Sequence, residues 1–196
     1  MKTKKLMVIF LAGTMIFFAF SCGSNKKVTT TPAPAMPGMT KITVPLSGIE
    51  YLSNKEFFRA KSSGKSPDMA TAKKIALNNA KTEIASLIQS TIKSVTDNYT
   101  NQRSLTNAQD FENRFETLSR EVVSQRLSDV SIIGEEVYKD QAGAVEYWVA
   151  IAISKEAILN GITSKVSMDQ KLQIDYDKKK FEDTFNAEME KMKNDK

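Results

Sequence analysis

Ala72, Ala76, Ala80, Ile84, Leu87, Ile88, Ile92 and Val95 recur at steps of three and four residues, and no other pattern in this chain constrains its fold so tightly. The spacing places all eight side chains on one stripe of an α-helix of about 30 residues, and so much apolar surface needs a cover. The three alanines at the start of the stripe let a sheet approach closely, while the larger residues fill the space where helix and sheet diverge. Ser66 suits the N-cap, and Pro67 suits the first helical position, where a missing amide costs nothing.

The cover is sought in strands. Residues 56–62 alternate, with Phe58 and Ala60 on the inward face, and Gly64 to Pro67 is read as a turn. Further along, Val130 and Ile132 alternate and Val137 and Tyr138 end that run. After the turn-like Asp140-Gln141-Ala142-Gly143, five apolar residues alternate at Val145, Tyr147, Val149, Ile151 and Ile153. This is a β-hairpin whose second strand is the centre of the sheet. Trp148, Ala150 and Ala152 occupy its opposite face.

Asp97 to Arg103 reads as a polar connector, and Thr106 to Gln109 as a capping box. A second amphipathic helix follows, striped by Ala108, Phe111, Phe115, Leu118, Val122 and Leu127. Ser154 opens another helix carrying Ile158, Leu159 and Ile162. Past Gly161 the tail balances eight lysines against eight acids from Ser164 to Lys196, yet Leu172, Phe181, Phe185, Met189 and Met192 recur at helical intervals. Three uses of that sticky side are open: docking on the domain, pairing in a homo-oligomer, or binding a partner.

The chain begins with Lys2, Lys4 and Lys5, an apolar run from Leu6 to Phe20, and then Ser21-Cys22-Gly23-Ser24. This is a secretory layout, and fifteen helical residues reach only about 22 Å against a hydrocarbon core of roughly 30 Å. Cys22 is the only cysteine. Its place at the end of the apolar run makes it the expected lipid attachment point, and the segment resembles bacterial lipoprotein signals of the Bacteroidetes type. Residues 22–48 then hold four of the five prolines among threonines and alanines, a composition that favours an extended tether.

Charge and chemistry narrow the function. The net charge of +5 comes from the leader with Lys26, Lys27 and Lys41, for from Ile49 onward 22 Lys and Arg face 23 Asp and Glu. Nucleic-acid binding thereby loses its electrostatic basis. There is no histidine and no second thiol, so Ser-His-Asp and Cys-His catalysis and the usual zinc ligand sets are absent. No glycine-rich phosphate loop is present and no cofactor is expected. The remaining candidates are the acids Glu135 with Glu136, Asp110 with Glu112, and Glu146; Glu135 and Glu136, adjacent on a strand, point to opposite faces and are read as surface charges.

Phe57-Phe58-Arg59-Ala60-Lys61-Ser62-Ser63-Gly64-Lys65-Ser66, an alanine-rich helix and Glu146-Tyr147-Trp148-Val149-Ala150-Ile151 together resemble the LPP-twenty lipoprotein family. Its module is similar to the amino-terminal domain of the flagellar assembly protein FlgT. The resemblance covers residues 55–154. It implies an envelope-anchored α+β interaction module and supplies no catalytic residue.

The expected organisation is a signal peptide at 1–21, a lipidated tether at 22–48, an α+β domain at 49–162 and a charged helical tail at 163–196. The fold class is α+β, a small antiparallel three-stranded sheet on a long helix in the order β-α-α-β-β-α, with a C-terminal amphipathic helix. The expected function is protein contact in assembly or maintenance of the cell envelope. The membrane is held through lipidated Cys22, an envelope protein is the expected partner, and the outer membrane is the expected address. The alternative is a periplasmic carrier of a small lipid or glycan, with Phe58, Tyr147 and Trp148 as its contacts. An enzyme working with carboxylates alone is the third and least supported class.

Overall fold

The computed structural model describes residues 42–105 and 107–194, with side chains through residue 191, and Thr43–Lys196 form one compact unit. Cys22, the leader, the tether up to residue 41 and Thr106 lie outside the described residues. The unit is mixed α+β: β1 (Phe57–Ser66), α1 (Met69–Arg103), α2 (Ala108–Arg126), β2 (Ser131–Lys139), β3 (Val145–Ser154), α3 (Lys155–Val166), α4 (Gln170–Asp175) and α5 (Lys178–Asn194). The sheet is antiparallel with strand order β1-β3-β2, so the strand with five alternate apolar residues lies between the other two.

Helix α1 crosses β1 and β3. Ala72, Ala76, Ala80, Ile84, Ile88, Ile92 and Val95 are all buried on it, whereas Leu87 is only partly so. The close approach foreseen for the alanines is tightest at Gly64, where a Cβ would stand 2.5 Å from the Ala72 carbonyl oxygen and 2.5 Å from the Ala76 nitrogen. Gly64 is therefore a strand residue beneath a helix and not part of a turn: β1 runs on through Gly64-Lys65-Ser66. The helix starts later than expected. Asp68 is its N-cap, accepting the Thr71 amide at 2.7 Å, while the Ser66 hydroxyl accepts the Asp68 amide.

At its other end α1 takes in Asp97 to Arg103, which is no connector. Tyr99 and Thr100 are buried there, and tertiary packing overrides the polar composition of the segment. The helix stops at Ser104, which adopts a left-handed φ of 50°. The expected capping box begins at Thr106, outside the described residues; Asn107 is the N-cap of α2 without a side-chain bond, and the Gln109 carboxamide donates forward to Asn113.

The tail is part of the core. Phe181, Phe185 and Met189 are fully buried, and Tyr99, Phe111, Phe115, Tyr176, Phe181 and Phe185 form a continuous aromatic cluster joining α1, α2 and α5. Phe58 closes it from β1, edge-on to Phe185 at 6.2 Å. Of the three open uses of this sticky side, docking on the domain is the one realised, and 163–196 is not a separate tail.

The outer face of the sheet is half covered by the chain that enters it. Leu46 is 4% exposed, and Leu46 and Tyr51 stand over Gly134 of β2, so close that a Cβ there would meet the Tyr51 ring at 2.5 Å. Lys61 clamps this segment by donating to the carbonyls of Pro45 and Leu46 and to the Ser47 hydroxyl at 2.7–3.2 Å. Arg59 donates to the Leu52 carbonyl at 2.7 Å, and the Ser53 hydroxyl bonds both the amide and the carbonyl of Arg59. The tether boundary at residue 48 thus falls too late, since Pro45, Leu46 and Ser47 belong to the domain.

Candidate functional site

The three residues expected to share a ligand do not meet. Phe58 is fully buried in the aromatic core and offers no contact surface. It pairs in register with Ile153, six residues along β3 from Tyr147, a separation of about 20 Å at strand rise. Tyr147 faces the core and is buried, while Trp148, its neighbour in sequence, is half-buried on the opposite face. Alternation along a strand makes that separation unavoidable.

Tyr147 belongs instead to a polar triad at the sheet–helix junction. Its hydroxyl donates to Glu135 Oε1 at 2.6 Å, Lys73 Nζ of α1 reaches the same oxygen at 2.7 Å, and the ammonium sits 5.4 Å from the Tyr147 ring centroid. The hydrogen bond from Lys73 pulls the Glu135 carboxyl below its ordinary range, and Glu135 in turn raises both Lys73 and Tyr147. Each group is held more firmly in its resting state: ionised, protonated and neutral respectively. Such a triad staples α1 to the hairpin, and none of its members is tuned toward neutral pH as a general base needs.

On the outer face Trp148 lies opposite Glu136, and Tyr138 opposite Glu146. The indole donates to Glu146 at 3.1 Å, and the Tyr138 hydroxyl donates to Glu136. Lys65, at the end of β1, is paired with Asp140 at 2.9 Å. The entering chain touches this half of the face where the Leu46 amide donates to Glu136 at 3.4 Å, and two aromatic rings stand beside it among carboxylates and a lysine. Glu136 is read from the sequence as a surface charge and Tyr138 as the end of a strand, whereas counting outward from Trp148 through the hairpin turn places both beside it.

A cleft of about 430 Å³ lies between α1 and α2, with Ile92 at its floor and Gln89, Ser90, Lys93, Thr96 and Asp97 facing Glu112, Asn113, Glu116 and Arg120. Arg120 and Glu116 pair at 2.6 Å and Thr100 donates to Glu112 at 2.8 Å. Its volume is in the range of small-ligand sites, about 300–1,000 Å³, but its walls are mostly polar where such sites are mostly apolar. A sequence signal for it exists in Gln89, Lys93 and Thr96, which flank the α1 stripe at four- and three-residue steps.

Among the described residues no group of His, Cys, Asp and Glu could hold a metal ion, and no helix is long and apolar enough to cross a membrane. Comparison with family models, curated proteins and solved structures finds no match, so the functional reading rests on the residues themselves.

Proposed function

We propose that this chain is a lipid-anchored bacterial cell-envelope protein, a non-catalytic interaction module in envelope assembly or maintenance, related to the LPP-twenty lipoproteins. The observation that carries the proposal is Cys22, the only thiol, set at the end of a basic and apolar leader and joined by a proline-rich stretch to the domain. Each buried methylene contributes about 0.8 kcal/mol, so two or three acyl chains on one cysteine would anchor the chain durably. The β-α-α-β-β-α arrangement with its C-terminal amphipathic helix is part of the same reading. Support from the domain is its uncommitted surface: the outer sheet face and β2 carry exposed aromatic and aliphatic side chains suited to protein contact.

The test is metabolic labelling with a fatty acid and fractionation of Cys22→Ser. The native chain should carry label and sediment with membranes, and the variant should do neither. Label retained on the variant, or an unmodified Cys22 in the mature chain by mass spectrometry, overturns the proposal.

A second reading, binding of a small envelope glycan, takes its support from the α1–α2 cleft, whose hydroxyl, carboxamide and carboxylate groups suit a hydroxyl-rich ligand. A thermal shift with muropeptide fragments that is lost in Lys93→Ala would favour it; no shift at millimolar fragment would remove it.

A further inference from the structure

Strand β2 is the least buried element of the sheet, with no buried residue along its length. Helix α1 packs along β1 and β3 and meets β2 through the Lys73–Glu135 pair. Ile132, Ile133, Val137 and Tyr138 are 37–48% exposed on it. The two sheet edges also differ in their backbone. On β1, Ser53 takes up the amide and carbonyl of Arg59, and the Asn54 amide bonds the Phe57 carbonyl. No such bond from the described residues falls on the outer edge of β2. An edge with open amides, open carbonyls and apolar side chains is a template for another strand.

We infer that β2 pairs antiparallel with β2 of a second copy of this chain, about a two-fold axis through Val137, to give a continuous six-stranded sheet. An axis perpendicular to the sheet keeps matching faces together, so opposite residues have numbers that add to twice 137. Val137 then lies against the second copy's Val137, each covering the other's exposed side chain. Glu136 lies opposite Tyr138 on the outer face, and Glu135 opposite Lys139 on the inner. Both cross-pairs are complementary, and the two-fold repeats each of them. Pairing centred one residue earlier would set Glu136 against Glu136, which like-charge repulsion disfavours.

Within one chain the Tyr138 hydroxyl donates to Glu136, and on pairing it exchanges that bond for Glu136 of the second copy. Among the described residues Lys139 has no ion-pair partner. Lys73 and Tyr147 both reach Oε1 of Glu135, leaving the second oxygen for a further donor. Pairing can run from Gly134 to Asp140 before the irregularity between Ile132 and Gly134 bends the strand away. The inference does not depend on lipidation.

The test uses the full chain carrying Cys22→Ser, so that one introduced cysteine is the only thiol. Val137→Cys should form a disulfide-linked dimer under mild oxidation, since the two side chains meet at the axis. Ser131→Cys should not, because the two copies of that position lie about 40 Å apart at strand rise. In the chain without added cysteines, Lys139→Glu should weaken dimerisation in sedimentation equilibrium about tenfold by setting Glu against Glu135 twice. A chain that stays monomeric at high micromolar concentration overturns the inference. So does equal crosslinking at 137 and 131, or a dimer indifferent to Lys139→Glu, which would point to another surface or another partner strand.

Discussion

Removing one oxygen atom tests how α5 is held. Tyr99 is fully buried near the end of α1, and its hydroxyl stands at the joint between α4 and α5. It donates to the Asp175 carbonyl at 2.7 Å, accepts the Asp177 amide at 2.6 Å, and takes a weaker bond from Arg103 at 3.3 Å. Asp177 in turn caps α5, its carboxylate accepting the Lys180 amide at 3.0 Å. Tyr99→Phe keeps the ring, with its contacts to Phe111 and Phe181, and removes only these bonds. Each backbone bond contributes about 0.5–1.5 kcal/mol net, and Asp177 is exposed enough for water to replace part of the loss, so the expected cost is about 2 kcal/mol. For a unit of this size that corresponds to a fall in Tm of about 4–8 °C. Urea denaturation followed by the fluorescence of Trp148 would measure it, and hydrogen exchange at the Asp177 amide should accelerate. A change below about 0.5 kcal/mol, or an Asp177 amide still protected, would refute the argument that Tyr99 pins the C-terminal helix.

Three further outcomes follow from the same geometry. Gly64→Ala and Ala76→Leu should each cost about 1–3 kcal/mol by forcing α1 off the sheet, read as a lower denaturation midpoint; near-native midpoints would mean the contact yields freely. Burial pushes the Tyr176 hydroxyl up to about 12 against an opposing pull from Thr163, and among the described residues no group meets hydrogen-bond geometry with it. A raised folded value gives stability that is whole below pH 10 and lost toward pH 12, so Tyr176→Phe should flatten the alkaline decline without loss at pH 7; an unchanged alkaline limb would contradict this. Glu135, held low chiefly by Lys73, contributes stability that is present above the ordinary carboxylate value of about 4.3 and lost as pH falls through its depressed folded value. Glu135→Gln should therefore shrink the acid-side loss, measured as midpoints at pH 7 and pH 3, and an acid limb identical to the native one would remove the triad from the account.

Much of the scaffold was legible because periodicity records burial. The α1 stripe and the alternation of β3 each name a face, and Ser154, which accepts the Ala157 amide, names a helix start. The limits appeared where polar residues are buried by distant parts of the chain. Tyr99 and Thr100 sit in a segment of connector composition and become core because α2 and the chain at α5 pack over them. Gly64 reads as a turn until a helix is laid across it. Pro45 and Leu46 read as tether because no period marks a stretch that is fixed by Lys61 from another element. The site suffered most. Phe58, Tyr147 and Trp148 were grouped by residue type, whereas Tyr147 and Trp148 are one step apart on a strand and must face opposite ways.

The one-dimensional pattern determined the α+β class, the central place of β3 and which side of each long helix is greasy, since these depend on local spacing alone. Only the tertiary structure decided what each greasy side touches. The C-terminal helix is used up inside its own core, leaving β2 as the exposed apolar edge, because burial is a property of which surfaces meet, and meeting partners lie up to about ninety residues apart in the chain.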